Sequence, residues 1–441
     1  MSLIKVCISL DEVDWICSNL HYTDIIMVKK RVLSPAPLLD PALLTAFVEA
    51  NGLKLVHAQK IWKHISAQVQ TQSTANISVR DVLHLPSHAY PLLEDSFATF
   101  TTTVTEQHTS SDGTVKLLIT LQDGHNIESV IMKHSGRNTL CVSSQVGCQM
   151  GCTFCATGTM GIIADLCAGE ILEQLAHAFR VAPIRNVVFM GMGEPLNNYD
   201  AVLTAIRAMT DIFGLAPKYI TLSTVGVIHR IRQLKQDAPL VRLALSLHAP
   251  TQDLRVQIVP TAKAYPLDKL MLAIDDHLKD RENRMVMMEY IMLKDVNVAP
   301  DTAHDLGRLL QGKSVHINLI PYNATDVDAE FQSPSPDEIV AFKDILRAEY
   351  HLKVRENHGM DIDGACGQLA VKKLEAGLPK SSVLDQRDIE DLGKRTNKAP
   401  VSKPSKKQAK TDDTSATALF VAMPILAIVA AAAFVWRRLQ Q

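Results

Sequence analysis

Between residues 139 and 350, short apolar runs rich in β-formers alternate with amphipathic segments of helical period, and this alternation restricts the possible folds more than any other feature of the sequence. The pattern predicts strands over Thr139–Ser144, Asn186–Met190, Tyr219–Thr224, Val241–His248, Val286–Leu293 and Val315–Pro321. It predicts helices over Asp165–Arg180, Asp200–Phe213, Leu267–Leu278, Thr302–Leu310 and Pro336–Tyr350, with a last strand at His351–Glu356. Six strand–helix repeats imply a parallel α/β architecture. Periodicity alone does not choose between an open doubly wound sheet and a barrel, but both collect chemistry at the C-terminal ends of their strands. The unusual motifs fall there: Cys148–Cys155 after the first strand, Gly191-Met-Gly-Glu-Pro195 after the second, Ser223 on the third, Ser246-Leu-His248 on the fourth and Asn323 after the sixth.

A chain of 441 residues, 47% hydrophobic, can bury a full α/β core with room for appendages. Its eight cysteines, three of them within eight residues, are too few and too clustered for a secreted disulfide framework, so a reducing compartment is expected. The net charge of −2 conceals an asymmetry: residues 394–441 carry nine Lys or Arg against two Asp, leaving 36 against 45 in residues 1–393, a net −9. An acidic body needs a local basic patch if its partner is a nucleic acid.

Residues 1–40 specify little and carry no targeting signal. Residues 41–98 read as a small helical module in which Leu43, Leu44, Phe47 and Val48 keep helical spacing, and residues 99–133 as β-hairpins with turns at Ser110–Gly113 and Gln122–Gly124. The main α/β domain is expected over 134–375. An extension at 376–416 becomes Lys-, Ser- and Pro-rich from Gly393 and reads as a flexible linker. Thr417 to Trp436 then runs 20 residues without a charge, about 30 Å as a helix, and Arg437 and Arg438 follow. This is expected to be a transmembrane tail anchor, inserted after synthesis, with the body facing the cytosol. The alternative is an Ala-rich helix packed on the fold or on a partner.

Cys148, Cys152 and Cys155 stand in a Cys-x3-Cys-x2-Cys spacing. Three soft ligands on one loop can hold three corners of a [4Fe–4S] cluster and leave the fourth iron open. A zinc knuckle would pair a second Cys or Cys/His arm with the first, and none is visible. The spacing, with Phe154 before the third cysteine, resembles the radical S-adenosylmethionine (SAM) signature. In that superfamily SAM chelates the open iron and is cleaved to a 5′-deoxyadenosyl radical. Gly191-Met-Gly-Glu194-Pro195 then resembles the superfamily's SAM-binding turn, with Glu194 the carboxylate for the ammonium of SAM.

The resemblance narrows further. Cys141–Cys148 (CVSSQVGC), Met190–Leu196, Thr221–Thr224, Leu245–Pro250, Ile317–Pro321 and Asp361–Leu369 are collinear with, and similar to, motifs of the RlmN/Cfr family of adenine methyltransferases over about residues 45–375. The resemblance implies a partial (β/α)6 radical SAM barrel with an N-terminal helical and β-hairpin accessory region. It also implies a methyl synthase that uses two SAM molecules and methylates an adenine ring carbon of rRNA, tRNA or both. One SAM methylates Cys366, the other supplies the radical that activates that methyl group, and Cys141 releases the product through a transient disulfide with Cys366. Glu128 occupies the family's proton-acceptor position. Gly193, Glu194, Ser223, Ser246, Leu247, His248 and Asn323 match its SAM contacts, although Asn323 is followed by Ala-Thr-Asp where the family usually has proline. A monomer served by a flavodoxin or ferredoxin as electron donor completes the expectation.

Adenine C2 and C8 methylation share all these motifs, and Asp361-Ile-Asp-Gly-Ala-Cys-Gly looks closer to the C2 branch. Without the family context Cys141 would be a small buried hydrophobe, Glu128 a solvated strand residue and His248 a satisfied core histidine. Two readings from other classes are a membrane-tethered RNA binder without catalysis and a structural metal module.

Overall fold

A computed structural model of the protein describes residues 31–71, 77–134, 136–279, 284–323 and 331–356. They belong to one of two compact units, Met1–Leu378; residues 379–441 form the other and lie outside the described residues, as do the expected anchor at 417–436 and Cys366. Among the described residues no helix is long and apolar enough to cross a membrane.

Helices α1 (Pro41–Ala50), α2 (Leu55–Gln70) and α3 (Ala89–Ser96) form the N-terminal module. Asp40 caps α1, its Oδ1 accepting from the backbone N–H groups of Ala42 at 3.0 Å and Leu43 at 3.1 Å, and Pro41 occupies the first helical position, where no donor is needed. Ala58, Ile61, Trp62, Ile65 and Val69 put one face of α2 into the core at the three-and-four spacing of a half-buried helix. Short strands β1 (Ala36–Pro37) and β2 (Phe97–Ala98) pair in parallel across the module.

A meander of β3 (Thr103–Thr109), β4 (Val115–Thr120) and β5 (Asn126–His134) follows. Its turns close where the sequence places them: Gly113 donates to the Ser110 carbonyl and Gly124 to the Leu121 carbonyl, each at 3.0 Å and each with positive φ. The sheet then continues past residue 133. β5 pairs antiparallel with β6 (Arg137–Cys141), and β6 pairs in parallel with β9 (Asn186–Phe189). From there β10 (Ile220–Thr224), β11 (Arg242–Ser246), β12 (Val286–Met292), β13 (Val315–Pro321) and β14 (Lys353–Glu356) add in parallel, giving one ten-stranded sheet in the order β14-β13-β12-β11-β10-β9-β6-β5-β4-β3. All six strands expected from the sequence are present, and the run at His351–Glu356 supplies a seventh parallel one.

Helices α5 (Ala168–Val181), α6 (Tyr199–Asp211), α7 (Ile228–Asp237), α9 (Leu267–Leu278), α10 (Pro300–Leu310) and α11 (Pro336–Ala348) cover the sheet. Among the described residues one continuous main apolar core extends from Leu38 and Ile61 through Ile127 and Leu140 to Ile317 and Val354, so module, meander and barrel are packed as one body. The junction also contains a buried polar clasp. The Glu173 carboxylate on α5 accepts from the backbone N–H and hydroxyl groups of Thr101 and Thr102 at 2.6–3.0 Å, and burial pushes its pKa up to about 7.

Candidate active site

The cysteine loop is built on a separate two-stranded sheet. β7 (Gln145–Cys148) and β8 (Gly161–Asp165) run antiparallel, with a register slip between Val146 and Gly147, and carry residues 149–160 between them, including the one-turn helix α4 (Ala156–Thr159). Gly147 has φ +75°, and a methyl group there would lie 2.0 Å from the Gly161 carbonyl oxygen, so the hairpin neck closes only over glycine. The loop closes on itself through Cys155 N–H to the Cys152 carbonyl at 3.1 Å and Gly158 N–H to the Cys155 carbonyl at 2.9 Å. Thr153 fastens it to the barrel by donating N–H at 3.0 Å and hydroxyl at 3.3 Å to the Ile258 carbonyl, at the end of α8 (Gln252–Ile258).

Cys148, Cys152 and Phe154 are buried with Ala249, Ile258, Val259, Ile291, Leu293 and Tyr322 in a second apolar cluster, apart from the main core. Ala249, Leu293 and Tyr322 lie just past the C-terminal ends of β11, β12 and β13, the end expected from the sequence. Burial pushes the Cys148 thiol up to about 12 and the Cys152 thiol well above its ordinary value, and neighbouring thiols and Glu194 add to the rise at both. Among the described residues no group of three or more His, Cys, Asp or Glu could hold a single metal ion. The fit to a cluster rests instead on three soft thiols on one clamped loop, two of them buried in an apolar pocket where proton loss requires a metal to take its place.

The glycine-rich turn follows β9. A methyl on Gly191 would meet the Val142 carbonyl at 2.7 Å, and one on Gly193, at φ +97°, would meet Gln145 Cβ at 2.5 Å. Both glycines therefore have an internal reason: they let the turn lie on the chain that joins β6 to the cysteine loop. Glu194 is buried, its carboxylate accepting from Leu196 N–H at 3.0 Å and Val225 N–H at 2.9 Å. Burial pushes its pKa up to about 7, leaving a carboxyl that would gain from a cationic partner. Gln145 holds this turn, its Oε1 accepting Glu194 N–H at 2.8 Å while its Nε2 donates to Asp165 at 2.7 Å. Sequence reasoning passed over Gln145, although it stands inside a quoted motif.

Ser223 and Ser246 meet across β10 and β11 with their hydroxyls 3.4 Å apart. Leu247 is fully buried, and its N–H donates to the Glu289 carbonyl at 3.1 Å. His248, at φ +60°, accepts from Ile291 N–H at Nδ1 (3.1 Å) and meets Phe154 edge-on with ring centroids 4.8 Å apart. Burial lowers its pKa to about 3, so the ring is neutral with its proton on Nε2. Asn297, another residue the sequence did not single out, braces this turn by donating to the carbonyls of His248 at 2.9 Å and Ile291 at 2.7 Å. Asn323 is half-buried beyond the end of β13, and residues 324–330, which depart from the family pattern, lie outside the described residues.

Glu128 on β5 and Cys141 on β6 come together on one face. Cys141 stands opposite Val130, two residues from Glu128, whereas Ser129 between them turns to the other face and donates to Gln174 on α5 at 2.8 Å. Lys116 is on the same face, with Nζ 3.4 Å from the Glu128 carboxylate. Cys141 is buried, its thiol pushed up to about 12 by desolvation. The Ser143 hydroxyl donates to the Glu128 carbonyl at 2.7 Å and accepts from Met192 N–H at 3.0 Å, which joins this face to the glycine-rich turn. Cys366 and the segment Asp361–Leu369 lie outside the described residues.

Residues 142–301 match the Radical SAM superfamily. The chain is 43% identical over 272 residues to a probable dual-specificity RNA methyltransferase RlmN of Symbiobacterium thermophilum, covering 60% of this chain and 73% of the relative. It is 37% identical over 347 residues to a probable dual-specificity RNA methyltransferase RlmN of Shouchella clausii, covering 76% of this chain and 96% of the relative. The crystal structure of a radical SAM methyltransferase from Sphaerobacter thermophilus superposes with a TM-score of 0.69 at 35% identity, covering 77% of this chain and 99% of that one.

Proposed function

The chain belongs to the RlmN family of radical SAM RNA methyltransferases, with a [4Fe–4S] cluster and SAM as its cofactors, and from that premise we propose that it methylates C2 of adenine in rRNA, tRNA or both. The observation that supports this most is the Ser143 bridge, which ties the strand bearing Glu128 to the turn bearing Glu194. When bound, the cluster and SAM would supply a radical that activates a methyl group held on Cys366, and the carbon so activated can add to an electrophilic amidine carbon where ordinary methyl transfer would need a nucleophile. Cys148, Cys152 and Cys155 hold three corners of the cluster. Glu194 receives the SAM ammonium, with Gly193, Ser223, Ser246, Leu247, His248 and Asn323 around the rest of the molecule. Cys366 carries the methyl group to the base, Glu128 accepts the proton lost from the ring carbon, and Cys141 frees the product by pairing with Cys366.

Nucleoside mass spectrometry of RNA incubated with the reconstituted enzyme tests the reading. Wild type should yield 2-methyladenosine and Cys366→Ala none; 8-methyladenosine would move the assignment to C8, and no methyladenosine from a loaded wild type would sink it.

The catalytic domain is assigned to residues 134–375, with residues 417–436 as a tail anchor that leaves the body in the cytosol. Support for the anchor is the 20-residue uncharged run and the two arginines after it. A fluorescent fusion of the full chain should mark a membrane and lose it on deletion of 417–441; a diffuse full-length signal would defeat the anchor. A monomer reduced by a flavodoxin or ferredoxin fits the same reading.

A further inference from the structure

Arg255, on α8, is a fully buried arginine with no carboxylate partner among the described residues. Its guanidinium is held by backbone oxygens alone. Nε donates to the Leu247 carbonyl at 3.1 Å, and Nη2 donates to the carbonyls of Ser246, at 3.2 Å, and Val225. These three carbonyls stand at the C-terminal ends of β10 and β11, beside the serines and His248. Nη1 is buried and has no hydrogen-bond partner among the described residues.

A buried cation with an unsatisfied donor is destabilising unless something anionic occupies its surroundings. Cys152 is the ionisable group whose charge acts on Arg255, and Leu254 and Val256 on either side of Arg255 pack against the apolar cluster that holds Cys148 and Cys152. Burial lowers Arg255 itself only to about 10, so it stays charged at neutral pH. The helix that carries it ends at Ile258, whose carbonyl anchors Thr153 between two of the cysteines. The cation and the cysteine loop are thus fixed in one frame.

We infer that Arg255 is a positioning residue that acts as a fixed counter-charge to the thiolate-bound cluster and eases its one-electron reduction. The inference rests on the assignment of Cys148, Cys152 and Cys155 as cluster ligands. A [4Fe–4S]2+ core with three thiolates has a net charge of −1, and one electron from an external donor makes it −2. A guanidinium that cannot move away stabilises the second state more than the first. Reduction involves no bond change in Arg255, only electrostatic work.

The test is a dithionite redox titration of anaerobically reconstituted protein, followed by the electron paramagnetic resonance of the reduced cluster, with iron and sulfide counted per chain. Arg255→Gln should load iron and move the midpoint potential negative by at least a tenfold change in the reduction equilibrium, about 59 mV for one electron. Arg255→Lys, which keeps the charge but loses carbonyl bonds, should melt at a lower temperature yet stay within a third of that shift. A loaded Gln variant with an unshifted potential would overturn the inference, as would a Lys variant shifted as far as Gln. If the Gln variant takes up no iron, the Lys variant decides alone: a retained potential with lowered stability supports the counter-charge, and a shifted potential refutes it. A wild type without iron and sulfide would instead remove the ligand assignment itself.

Discussion

Replacing Gly147 with alanine should abolish iron uptake while the barrel stays folded. Alanine at φ +75° costs about 1–2 kcal/mol from backbone conformation alone. The larger cost is the contact of 2.0 Å between its methyl and the Gly161 carbonyl oxygen, which must be relieved by moving one strand of the β7–β8 neck. Neither strand yields cheaply. Gln145, two residues away, is fixed by its N–H to the Met192 carbonyl at 3.2 Å and by its side chain to Glu194. Gly161 faces Cys148 in the ladder, so a shift there displaces the first ligand directly. Overpacking of this kind adds about 1–3 kcal/mol. The sum is within the roughly 5–15 kcal/mol that keeps a domain folded, but it falls on one hairpin. Iron and sulfide analysis after reconstitution, with far-UV circular dichroism, reads both halves of the expectation. Gly151→Ala is the control: φ is +62°, but nothing lies within 4 Å of the added methyl, and iron uptake should survive. Normal iron content in Gly147→Ala would show that the neck does not set the ligand geometry.

The second large effect is expected at Glu128. Glu128→Gln keeps the size of the side chain but removes its ability to take a proton, and loss of a positioned base costs about 10²–10⁴ in rate. Methyladenosine formation should fall by that factor while deoxyadenosine from SAM cleavage persists, since the radical arises before the proton is lost. Lys116 complicates a simple reading, because the substitution leaves a largely buried ammonium without its carboxylate. The double variant Glu128→Gln with Lys116→Met removes that penalty and should remain as inactive as the single one. Methylation within threefold of wild type in either protein would exclude Glu128 as the proton acceptor.

The strand–helix alternation is legible in the sequence because buried parallel strands must be continuous apolar runs, and the motifs at their C-terminal ends follow from that. Three features are not legible, each for a physical reason. Helix α7 (IHRIRQLKQD) buries only Ile231 and Leu234, too few apolar positions to show a helical period. The β7–β8 hairpin is made of Gln, Val, Gly and Cys against Gly, Ile, Ala and Asp, without an alternation that would mark strands, so the segment reads as loop. The continuity of β5 with β6 is hidden because the polar residues between Met132 and Thr139 look like a boundary, whereas His134 pairs with Arg137 and the two strands belong to one sheet. At the site, the glycines of Met190–Leu196 suggest close approach of a ligand, whereas the structure gives them a packing role against Val142 and Gln145 first. Arg255 carries no sequence signal at all. On a short polar helix it reads as one more solvated charge, and only the three carbonyls around it reveal that it is buried.

The two-stranded sheet that carries the cysteines lies outside the ten-stranded ladder, although in sequence it interrupts the first crossover, between β6 and β9. The parallel pairing of those strands and the packing of α5 use none of the three thiols. Biogenesis can therefore run in two stages: the polypeptide completes its sheet and core first, and iron and sulfide are delivered afterwards to a hairpin that is already mounted on a finished scaffold.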